Sequence, residues 1–85
     1  MNFLICYDIR HPKRLNKVHK IVSQKAISVQ LSVYTANLNE IELNEIIEAL
    51  NNVINVKEDD IRIYPIRAIK SEHFIGVNRM PNLIV

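Results

Sequence analysis

Two amphipathic helical segments, each lying between extended apolar segments, restrict this chain to few possible folds. Residues 3–7 form a continuous apolar run, which is typical of a strand buried on both faces. A helix is predicted over about 12–25, because apolar side chains recur there at the helical period and Pro12 suits the first helical position. The same period predicts a second helix over about 40–53.

The segment between the helices is extended but too long for one strand. Residues 27–38 alternate in polarity and are rich in β-branched side chains, and a bend near 30–32 would divide them into two strands. Residues 61–66 form the last strand, and Pro65 places it at a sheet edge or strand end. The order strand, helix, two strands, helix, strand predicts an α+β, ferredoxin-like βαββαβ sandwich with both helices on one face of an antiparallel sheet.

The length of 85 residues allows one domain. We assign residues 1–66 to the ferredoxin-like core and residues 67–85 to a C-terminal extension. The apolar end Leu83-Ile84-Val85 has little local surface to pack on, so we expect an additional strand that contacts a second protomer. A homodimer would also stabilise a core this small, since the chain has one cysteine and no disulfide.

Charge is distributed unevenly along the chain. Residues 10–25 hold six of the eleven basic residues and no acid, whereas residues 40–60 hold seven of the nine acids. A surface that carries mainly positive charge attracts polyanions such as nucleic acids. The basic side chains of the first helix that we expect to contact phosphates are Lys13, Arg14, Lys17 and Lys20. The alternative is an ordinary solvated helix face.

The first strand ends in a carboxylate, Asp8, which has two interpretations. It is a candidate for binding a catalytic cation, or it caps the turn into the first helix. Cys6 alternates with apolar neighbours and is expected to pack, not to react. The N-terminal residues lack the pattern of a signal peptide or membrane anchor, so we expect a cytoplasmic protein that does not bind membranes.

Three segments resemble the small CRISPR-associated endoribonuclease family. The opening Tyr7-Asp8-Ile9 followed by Pro12-Lys13-Arg14-Leu15 is similar to that family's first signature, and Val29-Gln30-Leu31-Ser32-Val33-Tyr34 is similar to its second. Residues 59–66 resemble its final core strand. The matches keep their order and spacing over residues 1–66.

The resemblance implies a homodimer that works beside the CRISPR integrase subunit in spacer acquisition. It also implies a metal-dependent endonuclease acting on single-stranded RNA, double-stranded DNA or both, with Asp8 and Ser32 as the matching site residues. Mg²⁺ or Mn²⁺ would suit this chemistry, with Asp8 from both protomers as ligands and Ser32 orienting a water or phosphate oxygen. Tyr7 and Tyr34 would support the site, although aromatic residues in strands more often belong to the core.

Two alternatives stay open at this point. The first alternative is a non-catalytic architectural dimer that grips DNA and bridges integrase subunits, and the second is a related ribonuclease toxin. Nothing in the sequence indicates base-specific readout. The three histidines lack metal-ligand spacing; His11 suits a helix cap, His19 a helix flank and His73 the surface.

Overall fold

A computed structural model describes residues 1–67 of the chain. Its four strands form one antiparallel sheet in the order β2-β3-β1-β4. This is the ferredoxin-like order, so the predicted fold class is confirmed. In chain order the elements are β1 (Asn2–Asp8), α1 (Pro12–Ser23), β2 (Ile27–Gln30), β3 (Val33–Asn37), α2 (Glu40–Asn51) and β4 (Asp60–Ile66).

The first strand is the centre of the sheet. It pairs with β3 on one side, where Ile5 lies opposite Tyr34, and with β4 on the other, where Ile5 lies opposite Ile63. Phe3, Leu4 and Ile5 are all buried, which explains why this strand reads as a continuous apolar run. Its last residue, Asp8, is exposed at the carboxyl end of the strand.

The hydrophobic core lies between one face of the sheet and the two helices. Each helix contributes two buried residues at the helical spacing of four, Val18 and Val22 from α1, Ile46 and Leu50 from α2. The helices end at Ser23 and Asn51, about two residues earlier than the periodicity predicts. The opposite face of the sheet carries the side chains of Asp8 and Asp60 at one end.

The extended segment divides where the sequence predicts a bend. The β2–β3 pairing contains a register shift between Ser28 and Gln30, and Ser32 in the turn has φ 61°. A side chain other than glycine is disfavoured in this left-handed region. The carbonyl of Ser32 accepts a hydrogen bond of 3.1 Å from the N–H of Tyr7, so the turn is attached to the end of β1.

Both helices begin at a side-chain cap. His11 accepts from the N–H of Lys13 through Nδ1, which confirms it as the N-cap of α1. Asn39 and Glu42 form a complete capping box at the start of α2. The caps therefore define where α1 begins after β1 and where α2 begins after β3.

Pro65 lies in β4, which is an edge strand of the four-stranded sheet, as predicted. The expected additional strand in residues 67–85 and His73 lie outside the described residues, apart from Arg67. Neither helix of the described part is long and apolar enough to cross a membrane.

Candidate functional site

Asp8 lies directly opposite a second carboxylate. In the β1–β4 register its partner is Asp60, the first residue of β4. Directly opposite residues of antiparallel strands point to the same face, with Cβ atoms about 4.5–5.5 Å apart. Both side chains are well exposed, 66% for Asp8 and 60% for Asp60. One chain therefore places two carboxylates opposite each other at the end of the β1–β4 pair.

Each carboxylate of this pair is balanced by its own arginine. Arg10 Nη2 lies 3.5 Å from Asp8 Oδ2, and Arg62 Nε lies 3.0 Å from Asp60 Oδ2. Two like charges held opposite each other repel, so each arginine offsets part of that cost. Because the groups are exposed, the pairings are weak enough for a cation or a phosphate to compete with them.

Sequence reasoning missed Asp60 because nothing local identifies it. Its position opposite Asp8 follows from the β1–β4 register, which the sequence alone does not fix. The signal available was the resemblance of residues 59–66 to a final core strand, which placed two acids at that strand's start.

The structure separates Arg14 from the other basic residues of α1. Its Nε lies 2.7 Å from Asp59 Oδ2, and its Nη2 lies 3.1 Å from Glu58 Oε2. The Asp59 side chain has no exposed surface and also accepts from the N–H groups of Arg10 and Asn55. The Arg14 guanidinium, with help from these N–H groups and against the effect of burial, holds the pKa of Asp59 well below its usual range. Arg14 is thus occupied in joining α1 to the start of β4.

The three lysines of α1 are solvent-exposed, and their contact with phosphates stays a prediction. Lys13, Lys17 and Lys20 are exposed on the outer side of the helix, and none forms an ion pair within residues 1–67. Lys25, beyond the helix, is instead 3.4 Å from Glu42. Within residues 1–67, three of the four basic side chains predicted to contact phosphates therefore form no ion pair.

The predicted supporting residues lie on the helix side of the sheet, away from the carboxylate pair. Tyr7 and Tyr34 are both buried and their rings stack with centroids 5.8 Å apart, so the expectation that they belong to the core is confirmed. The Tyr7 hydroxyl donates to the Tyr34 hydroxyl at 3.4 Å. Burial, followed by this hydrogen bond, raises the pKa of Tyr7 and keeps its phenol neutral. Ser32 accepts from the Tyr7 N–H through its carbonyl and lines the same groove as both tyrosines, so within one chain it is grouped with the tyrosines.

His19 joins this group, which the sequence did not suggest. Its Nδ1 lies 2.7 Å from the Tyr34 hydroxyl. The sequence placed His19 on a helix flank without a partner, because a contact between α1 and β3 has no local signature. Cys6 is partly buried, and this burial raises the pKa of its thiol, which favours the protonated form.

Known proteins show which family this fold and sequence belong to. The sequence profile of the CRISPR associated protein Cas2 family matches residues 1–73. The chain belongs to this family. It is 35% identical over 81 residues to the CRISPR-associated endoribonuclease Cas2 2 of Thermodesulfovibrio yellowstonii, an alignment that covers 94% of this chain and 89% of the relative. The resemblance found in the sequence is thereby confirmed.

Another relative and two solved structures are similar to this chain in sequence or in fold. The chain is 34% identical over 82 residues to the CRISPR-associated endoribonuclease Cas2 1 of Nitrosomonas europaea, covering 94% of this chain and 76% of that protein. The crystal structure of Streptococcus pyogenes Cas2 superposes with a TM-score of 0.73 at 32% identity, covering 79% of this chain and 87% of that one. A hypothetical protein from Thermus thermophilus gives a TM-score of 0.76 at 26% identity, covering 81% and 85%.

Proposed function

We propose that this chain is a homodimeric, metal-dependent endonuclease of CRISPR spacer acquisition that works with the integrase subunit. Its substrates would be phosphodiesters of single-stranded RNA, double-stranded DNA or both, bound without sequence specificity in the cytoplasm. The names of its relatives, CRISPR-associated endoribonucleases, support a nuclease. The observation that carries the proposal is the exposed Asp8 facing Asp60 across the β1–β4 pair, beside a lysine-bearing helix.

The carboxylate pair fits a hard divalent cation. Mg²⁺ and Mn²⁺ bind carboxylate oxygens and usually use one or two of them together with waters and substrate phosphates. Within residues 1–67 there is no cluster of three or more histidine, cysteine or acidic side chains that would hold a metal. Asp8 and Asp60 would therefore supply only some of the ligands of the ion. A two-fold axis near Asp8 would bring the same carboxylate of the partner protomer to the ion as a further ligand. When bound, the ion supplies a water of lowered pKa and neutralises charge on the phosphate oxygens.

The remaining residues would bind and position the nucleic acid. Lys13, Lys17 and Lys20 would contact phosphates along α1. Arg10 would exchange its contact with Asp8 for a phosphate when a cation takes the carboxylate. Ser32, with its carbonyl on the Tyr7 N–H, would act by fixing the turn beside the end of β1.

A second candidate function is the non-catalytic architectural dimer, and one observation favours it. The carboxylate of Asp8 is already paired with Arg10, and the lysines of α1 are free without any involvement of Asp8. In that case the basic surface would grip DNA between integrase subunits while the carboxylates only maintain the end of the sheet.

Cleavage of labelled single-stranded RNA and double-stranded DNA distinguishes the two functions. The unmodified protein, Asp8→Asn and Asp60→Asn would each be incubated with Mg²⁺, with Mn²⁺ and with chelator. Glu45→Gln is the matched control, since it removes one exposed carboxylate from α2 on the other side of the sheet. DNA binding is measured on the same samples.

The nuclease predicts metal-dependent cleavage that is lost in Asp8→Asn, reduced in Asp60→Asn and unchanged in Glu45→Gln. DNA binding should persist in all four proteins, because the lysines are intact. Absence of cleavage by the unmodified protein would refute the nuclease, and equal cleavage by Asp8→Asn would refute the role of Asp8. DNA binding without any cleavage would favour the architectural function.

A further inference from the structure

A groove separates α1 from the β2–β3 turn on the helix side of the sheet. Its volume is about 540 Å³, which is ample for one heteroaromatic ring with its sugar. One wall consists of Tyr7, Tyr34 and Ser32, and His19 lies beside them. The carboxylate pair at Asp8 points to the other face of the sheet, so this groove is a separate place in the molecule.

The polar wall of the groove is a connected set of hydrogen-bonding groups. The Tyr7 hydroxyl donates to Tyr34, and the Tyr34 hydroxyl lies 2.7 Å from His19 Nδ1. When the Tyr34 hydroxyl donates to Nδ1, the ring proton is on Nε2. The buried tyrosine thereby fixes the orientation of an exposed imidazole, which keeps one ring face and one N–H available to a ligand.

Apolar side chains line the rim of the groove, and one of them is almost fully exposed. Leu31 is 94% exposed and Leu15 is 36% exposed, and both line the groove. An exposed leucine alone is ordinary, but two beside a fixed imidazole form a slot with an apolar mouth and a polar wall. A planar ring with polar edges matches such a slot.

The groove adjoins the free lysines of α1. Lys20 follows His19 directly, and it lies one helical turn after Asn16, which also lines the groove. Lys13 and Lys17 continue the exposed side of the helix next to it. A strand whose phosphates lie on these lysines would therefore pass along the opening of the groove.

We propose that this groove binds a single unpaired nucleobase from a strand held on the lysines of α1. The proposal rests on the nucleic-acid binding proposed above and adds a preference for single-stranded or frayed ends, because bases within a duplex are stacked and paired. Base–aromatic contact tolerates any sequence, since every base has a flat face. One slot per chain gives a preference for unpaired strand without readout of its sequence.

The test compares a single-stranded oligonucleotide with an abasic strand of equal length, which presents the same phosphates and no bases. Binding is followed by the fluorescence polarisation of the labelled strands. One stacked base should make the base-bearing strand bind about 5- to 160-fold more tightly than the abasic one. His19→Ala and Leu31→Glu should each bring this ratio close to one, and the ratio itself cancels the effect of the added charge in Leu31→Glu.

The matched control is His11→Asn, which removes another exposed histidine of the same helix while keeping a good N-cap. It should leave the ratio unchanged, and thermal unfolding should show that all variants fold. Equal binding of the two strands by the unmodified protein, or a ratio that survives His19→Ala, would overturn the groove while leaving the nucleic-acid surface intact. Absence of binding to either strand would overturn the groove together with the binding of single strands on α1.

Discussion

Replacing Lys13, Lys17 and Lys20 together by glutamine tests how charge on α1 is used. Each lysine that neutralises a phosphate releases counterions, so the logarithm of the affinity falls with the logarithm of the salt concentration by about 0.9 per contact on duplex DNA. Among the described residues, the three lysines of this helix form no ion pair, whereas Arg14 is paired with Asp59. We therefore expect the triple variant to lower the slope by about 2.7 for each bound chain.

This change in slope is large enough to measure. Between about 50 and about 200 mM salt, each phosphate contact costs about 3.5-fold in affinity, and three contacts cost about 40-fold. Over this range of salt concentration, the affinity of the unmodified chain should fall about 40-fold more than the affinity of the triple variant. Polarisation measurements on a labelled duplex at several salt concentrations give both slopes directly.

Arg14→Gln provides the contrasting variant. Because its guanidinium holds the buried Asp59 carboxylate, its loss should lower the midpoint of thermal unfolding and leave the salt slope unchanged. A triple lysine variant with the slope of the unmodified chain would refute the assignment of phosphate contacts to α1. A folded Arg14→Gln protein with a slope reduced by about 0.9 would show that Arg14 also contacts phosphate.

Two further predictions concern the fold that holds the site. The pKa of Asp59 lies below its ordinary value of 3.8 in the folded chain, so the folded state binds fewer protons; its stabilising effect should be complete above pH 3.8 and lost as the pH falls toward the folded pKa. Asp59→Asn should remove that part of the acid dependence of the unfolding free energy in denaturant titrations, and an unchanged dependence would contradict the assignment. Ser32→Gly should raise the free energy of unfolding by up to about 1 kcal/mol, because glycine accepts the positive φ, whereas Ser32→Ala should not; equal effects in urea unfolding would show that the turn stores no strain.

The sequence predicts the elements well because they have strong local periodicity. The apolar run 3–7 and the helices around Val18 and Ile46 are fixed by which side chains must be buried together. The β2–β3 turn is harder, since a serine and not a glycine occupies its left-handed position. It was recognised only because residues 27–38 are too long for one strand.

The composition of the site depends on contacts that the sequence does not encode locally. Arg14 and Asp59 are 45 residues apart, and their pairing requires the crossover through α2 to return β4 beside β1. The same register brings Asp60 opposite Asp8. A charge count along the chain therefore finds the basic helix but not which of its residues is already paired.

His19 is a residue of the groove that the sequence did not identify. On a helical wheel it is an unremarkable polar position between Leu15 and Ser23, and no spacing rule selects it. Its importance comes from β3, which places the Tyr34 hydroxyl 2.7 Å from the imidazole. Only the packing of a helix on a sheet reveals that contact.

The central place of β1 has a consequence for synthesis on the ribosome. One side of β1 finds its partner when β3 ends at Asn37, but the other waits for β4, which ends at Ile66. Adding the intervening 29 residues takes roughly 1.5 to 6 s at ordinary translation rates. During that interval the nascent chain carries a strand that is apolar on both faces and has one unpaired edge. Such an edge can pair with another chain and cause aggregation.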